Sequence, residues 1–162
     1  MVTSKGDIII ELNREKAPIT VKNFLDYVDE NSYDSTIFHR VISNFMIQGG
    51  GFNADMTKRP TKPEIKNEWG NDLQNLRGTI AMARRGGNIH SASNQFFINV
   101  KDNRNLDMKQ SDGAGYAVFG KVIEGLDVVD IIKAVKTHRQ AGHGDVPVEP
   151  VLILDVVRIE KP

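Results

Sequence analysis

The chain alternates short apolar runs with polar, glycine-rich breaks, and only two stretches carry a helical period. In Ala17–Asn31, Val21, Phe24, Leu25 and Val28 recur at i, i+3, i+4 and i+7, which predicts an amphipathic helix started near Pro18 or Thr20. In Gly125–Lys136, Val128, Ile131, Ile132 and Val135 form a second stripe. The other apolar runs are short, rich in β-branched and aromatic residues, and bounded by turn formers. They are Asp7–Leu12, Thr36–Ile42, Phe45–Gly49, Gly78–Ala83, Asn94–Val100, Tyr116–Val122 and Val151–Glu160. About seven or eight strands against two helices, with no regular alternation, predict a mainly β barrel or sandwich rather than a doubly wound sheet. The polar stretch 53–75, with Pro60 and Pro63, reads as a long loop that Trp69 pins to the body. The segments around Arg84–Ser93 and His138–His143 read as further loops.

Composition narrows the function classes. The 162 residues make one ordinary domain, spanning 1–162, that can bury a core without cross-links or metals. Twenty-one basic residues balance 21 acidic ones, so no basic excess is present to grip nucleic acid or an anionic membrane. With no cysteine, disulfides and a thiol nucleophile are excluded, and the composition suits a reducing compartment. The N-terminus lacks a signal-peptide apolar run, and no segment approaches the roughly 20 apolar residues of a membrane span. A cytoplasmic monomer is the expectation.

Three short patterns carry little chemistry. Gly115–Val122 nearly matches the phosphate-binding G-x-x-x-x-G-K-[ST], but Val122 replaces the hydroxyl and the intervening residues read as strand. His138 and His143 lack a third metal ligand. His90 lies near Ser91 and Ser93, without the strained elbow that exposes a nucleophilic serine.

The segment Phe38–Phe52, FHRVISNFMIQGGGF, is different. Strand alternation puts Phe38, Arg40 and Ile42 on one face and Ile37, His39 and Val41 on the other, so Arg40 shares a face with apolar side chains. A lone arginine of this kind often covers core with its stem and reaches water with its head. Here Gln48, and then Gln95 before Phe96-Phe97, repeat the pattern of polar groups set within apolar strands. Apolar walls with a few placed polar groups are the make-up of a ligand pocket.

The blocks FHRVISNFMIQGGGF, RGTIAMA, NQFFIN and VFGKVIEGLDVVDII resemble, in order and across nearly the whole chain, the signature blocks of the cyclophilin peptidyl-prolyl cis-trans isomerases. The compact length resembles the bacterial cytosolic branch. The resemblance implies a closed eight-stranded antiparallel β-barrel capped by two helices, proline-containing polypeptides as substrates, and no cofactor or metal. It implies that Arg40 is the catalytic arginine and that Phe45, Met46, Phe97 and Leu106 form the proline pocket. Gln48 corresponds to the residue that holds the arginine and contacts the peptide. Ala83, Arg84 and Gln95 match the groove that pairs with substrate backbone, and Tyr116 stands at the pocket rim where eukaryotic members often carry histidine. His39 sits beside the arginine, either as a packed ring or with a direct role. Asn105 falls where many eukaryotic members carry a tryptophan that contacts cyclosporin-type peptides, so weak cyclosporin binding is expected. Arg84 replaces their asparagine and would add positive charge beside the groove, favouring acidic peptide flanks. The other reading of these residues is a proline-peptide binding module or chaperone with incidental turnover. A pure binding module would have no need of Arg40.

Overall fold

The computed structural model describes residues 1–160. Strands β1 (Val2–Thr3), β2 (Gly6–Asp7) and β3 (Ile9–Leu12) open the chain, followed by helix α1 (Pro18–Asp29). Strands β4 (Thr36–Ile37), β5 (Arg40–Ile42), β6 (Met46–Gly49), β7 (Thr79–Met82) and β8 (Phe96–Asn99) come next. A 3-10 turn (Arg104–Asp107), β9 (Val118–Glu124) and α2 (Leu126–Lys133) follow, and β10 (Thr137–Gln140), β11 (His143–Pro147) and β12 (Leu152–Asp155) complete the described chain. Every strand pairing is antiparallel. The order is β3-β9-β7-β8-β6-β5 in a six-stranded sheet and β2-β1-β12-β4 in a four-stranded one, with β10-β11 as a separate hairpin.

The fold is therefore mainly β with two helices, as the pattern predicts, but the strand count differs. Ser4-Lys5 turns the chain back from β1 into β2, and Asp7–Leu12 is divided at Ile8 between β2 and β3. Among the described residues the ladders do not join the two large sheets into a ring. A groove of about 410 Å³ lies where Ile8–Leu12 and the unladdered Val156–Ile159 face one another. The β10–β11 hairpin replaces an expected loop. Its outward residues, His138, Arg139 and His143, are polar, so it carries no apolar alternation to read.

Both large sheets drain into one core. Ile153 of β12 and Ile47, Ile80, Ile98 and Phe119 of the six-stranded sheet are all fully buried in it. Helix α1 lays Val21, Phe24, Leu25 and Val28 onto this core, as its spacing requires. Phe24 meets Tyr33, Phe119 and Phe96 at ring-centroid distances of 5.2, 5.3 and 5.7 Å. No side chain of the local sequence caps α1. Glu68, from the long loop, instead accepts from the Thr20 amide at 2.6 Å and from its hydroxyl at 2.7 Å, placing an acidic group at the helix N-terminus. Helix α2 buries Val128, Val129 and Ile132, whereas Ile131, expected in the stripe, is half exposed.

The largest departure falls on Thr36–Ile42. This run is not one strand. It pairs with β12 through β4, breaks at Phe38-His39, and joins the six-stranded sheet through β5. The break resets the alternation. Phe38 and Val41 point into the main core, Ile37 packs in a separate cluster with Phe52, and Arg40 and Ile42 face outward. Phe38 and Arg40 thus do not share a face, contrary to strict period-two reading.

Candidate active site

The outer face of the six-stranded sheet carries a second, smaller apolar cluster. Met46 on β6, Ala81 on β7, Phe97 on β8 and Val118 on β9 project on this side, while Ile47, Ile80, Ile98 and Phe119 project into the core. Leu106, from the 3-10 turn, completes the buried part, and Phe45, Ala83 and Tyr116 pack around it. Over this cluster lies a cleft of about 250 Å³ lined by Arg40, Phe45, Met46, Gln48, Ala83, Arg84, Phe97, Leu106 and Tyr116. Nine of the eleven residues singled out from the sequence therefore meet in one place.

Two do not border it. Gln95 lines an adjoining polar groove of about 490 Å³ that meets the cleft at Gln48, Ala83 and Arg84. It remains coupled to the cleft by hydrogen bonds. Arg40 and Gln48 are register partners across β5–β6, and the Arg40 Nη1 donates to Gln48 Oε1 at 3.3 Å. Gln48 Nε2 in turn donates to Gln95 Oε1 at 2.9 Å. This chain fixes the guanidinium at the cleft wall without consuming its charge in an ion pair.

His39 is the other. It is buried, and its ring lies 4.4 Å from that of Phe52, which also meets His143 at 5.2 Å. Among the described residues its Nδ1 has no hydrogen-bond partner. Burial, with smaller contributions from His143 and Arg40, lowers its pKa from 6.5 to about 4. The ring is neutral at pH 7 and packed away from the cleft. The unfolded chain binds this proton near pH 6.5 and the native chain only near 4, so stability contributed here is complete above pH 6.5 and falls as pH drops towards 4. The loss is on the order of 3 kcal/mol. Urea unfolding between pH 4 and 7 is expected to show this slope in the wild type and a shallower one in His39→Leu; equal slopes would refute it.

Arg84 also corrects an expectation. Its side chain is only 2% exposed and that of Asp112 9%. Arg84 Nη1 and Nη2 donate to the two Asp112 oxygens at 2.6 and 3.1 Å, Nη2 donates to the Ala114 carbonyl, and Nε donates to that of Gly115. The hydrogen bonds from Arg84 hold the Asp112 carboxyl down at about 2. The guanidinium stacks on Tyr116 with its central carbon 4.7 Å from the ring centroid. Its charge is neutralised inside the protein and is not offered to a ligand, which removes the basis for a preference for acidic flanks. Asp112 was missed from sequence because it lies 28 residues beyond its partner, in a polar loop.

Trp69 does pin the long loop. Its indole Nε1 donates to the Asp107 carbonyl at 2.7 Å, and a Cβ at Gly115 would clash with that ring. The near-match to a phosphate loop runs into strand β9 from Val118 onward, where Gly120 lies against the Glu11 carbonyl.

Comparison with known proteins gives the same direction. The family model described as "Cyclophilin type peptidyl-prolyl cis-trans isomerase/CLD" matches residues 1–158. A peptidyl-prolyl cis-trans isomerase of Streptomyces antibioticus is 59% identical over 153 residues, 93% of this chain and 92% of that protein. Peptidyl-prolyl cis-trans isomerase B of Escherichia coli is 55% identical over 156 residues, 95% of this chain and 94% of that protein. Among solved structures, a cyclophilin type isomerase of Cryptosporidium parvum, determined in the presence of the dipeptide Ala-Pro, superposes with a TM-score of 0.81 at 25% identity. That match covers 99% of this chain and 98% of that one. With a match of this length and relatives this similar, the chain belongs to the cyclophilin-type peptidyl-prolyl cis-trans isomerase family.

Proposed function

We propose that this single-domain chain accelerates cis-trans rotation about X-Pro bonds in polypeptides, using the 250 Å³ cleft to hold the proline ring and Arg40 to stabilise the twisted amide. The observation that carries this reading is the position of an unpaired guanidinium, oriented by Gln48, on the rim of an apolar cleft.

The barrier to be lowered is about 18–20 kcal/mol, because rotation breaks amide resonance. Uncatalysed exchange takes tens to hundreds of seconds and can limit folding. In the twisted state the prolyl nitrogen regains a lone pair. A donor aimed there binds the twisted amide better than the planar one, which is the condition for catalysis. Arg40 supplies several donors in a fixed planar fork. Phe45, Met46, Phe97 and Leu106 receive the ring, whose burial contributes on the order of 1.5–3 kcal/mol. Gln48 and Gln95 hold the arginine and offer polar groups to the peptide, while Ala83, Arg84 and Tyr116 shape the wall. His39 supports β5 by packing and takes no proton-transfer part.

The test is NMR exchange spectroscopy on an X-Pro peptide. Catalytic amounts of the protein are expected to bring exchange from tens of seconds or longer into the millisecond range, and exchange no faster than in buffer would overturn the reading. Asn105 lies exposed in the 3-10 turn and does not border the cleft, so it offers little apolar surface to a cyclic peptide. Calorimetric titration with cyclosporin is expected to give a Kd no tighter than about 1 µM; a nanomolar complex would contradict this.

The architecture in this reading is a barrel interrupted at the groove beside β3, since both sheets feed one core. The protein acts as a monomer in the cytoplasm, where a chain with no cysteine has no thiol chemistry to protect.

A further inference from the structure

Three asparagines, Asn75, Asn99 and Asn103, are at most 2% exposed, and Asn99 is the register partner of Met46 across β6–β8. Burying an amide side chain is costly unless its groups are hydrogen-bonded, and three together need a reason. Their bonds run in one direction. Asn103 Nδ2 donates to the Phe45 carbonyl at 2.8 Å and to Asn99 Oδ1 at 2.9 Å. Asn99 Nδ2 donates to Asn75 Oδ1 and to Thr79 Oγ1, each at 3.0 Å. Asn75 Nδ2 donates to Asp107 Oδ1 at 2.8 Å and to the Tyr116 carbonyl at 3.3 Å. Asp107 Oδ1 also accepts from the Asn75 amide at 2.8 Å.

The relay runs between two walls of the cleft, beyond the end of the β6–β8 ladder, where the Phe45 carbonyl also accepts from the Val100 amide at 3.2 Å. Phe45 belongs to the β5–β6 turn. Leu106 and Tyr116 belong to the segment after β8; the Leu106 amide donates to the Asn103 carbonyl, and the Tyr116 amide to the Leu106 carbonyl. Asp107 Oδ1 accepts from Asn75 twice, so Asn75 turns its nitrogen towards it. Asn75 then presents its oxygen to Asn99, and Asn99 its oxygen to Asn103. The nitrogen of Asn103 is left facing Phe45. Aligned amides polarise one another, which strengthens each link.

We propose that Asn103, Asn99 and Asn75, polarised by Asp107, are positioning residues that set the distance between the Phe45 wall and the Leu106–Tyr116 wall, and so tune the cleft to the proline ring. This rests on the isomerase reading above. It predicts a defect in substrate affinity rather than in the rotation step.

The test compares Asn103→Ala and the volume-conserving Asn103→Asp with the wild type by NMR exchange on an X-Pro peptide. Each is expected to lower kcat/KM about tenfold, the scale of one or two lost hydrogen bonds, through KM and with kcat within about twofold. A Phe45→Ala cycle supplies the readout that a merely structural role would not move. In that background Asn103→Ala is expected to cost no more than about a further twofold in kcat/KM, while its effect on urea unfolding stays the same in both backgrounds. Full additivity with Phe45→Ala, or a loss carried by kcat, overturns the proposal. Collapse of the folded NMR spectrum in both Asn103 variants would assign the relay to the fold alone and overturn it too. Failure of the isomerase reading is separate, because it appears as a wild type with no catalysed exchange.

Discussion

Arg40→Ala is expected to lower kcat/KM for X-Pro isomerisation at least about a hundredfold, equivalent to roughly 2.7 kcal/mol of transition-state stabilisation. The side chain lines the cleft with its Nη1 held by Gln48, and among the described residues it has no carboxylate partner within ion-pair distance. Its remaining donors are free to meet the prolyl nitrogen. Because the interaction strengthens only when the amide twists, the loss falls on kcat, and affinity for the planar ground state changes little. Arg40→Lys recovers little of it, since a lysine keeps the charge but loses the planar fork that Gln48 orients. Lineshape analysis over a peptide titration separates the two terms. An alanine variant with unchanged exchange would overturn the role assigned to Arg40 and leave the cleft as a binding surface.

The second large effect is on stability. Phe96→Ala is expected to cost about 3–5 kcal/mol, the range for removing a buried aromatic ring. Phe96 is fully buried, with Phe24, Tyr33 and Phe38 around it at 5.7, 5.5 and 6.1 Å, all three edge-on. Close packing extends to the backbone, since a Cβ at Gly50 would meet the Phe96 and Tyr33 rings at 2.8 Å. Out of a total of about 5–15 kcal/mol for a domain, this is a large share, and a fall in Tm of roughly 10 °C follows. Phe97, one residue on, faces the cleft instead. The two neighbours therefore separate the properties: Phe96→Ala is expected to lower the urea midpoint while the folded fraction keeps its activity within a few-fold. A stability loss below 1 kcal/mol would show that the aromatic cluster is not the centre of the core.

Where the sequence could be read, short-range periodicity or a long block resemblance carried the information. The helix at Pro18–Asp29 follows from four apolar spacings. Arg40 and Gln48 stand out because polar residues interrupt apolar strands, and they are partners across a single hairpin. What could not be read depends on residues distant in the chain. The neutralisation of Arg84 needs Asp112. The cap of α1 needs Glu68. Asn75 and Asn103 have the composition of loops and Asn99 lies near the end of an apolar run, so only the fold reveals that the three are buried and joined. At Phe38-His39 the alternation itself misleads, because the chain passes from one sheet to another and the faces exchange.

Trp69 is the chain's single tryptophan, and its indole is joined by hydrogen bond to the segment that carries Leu106 and Tyr116. The protein thus carries one indole fluorophore, at the junction of the long loop and the segment behind Leu106 and Tyr116. Its emission reports local polarity at that joint, unmixed with signals from other indoles. Stopped-flow recording of this one band can time the docking of the loop during refolding, with no label attached and no residue of the cleft altered.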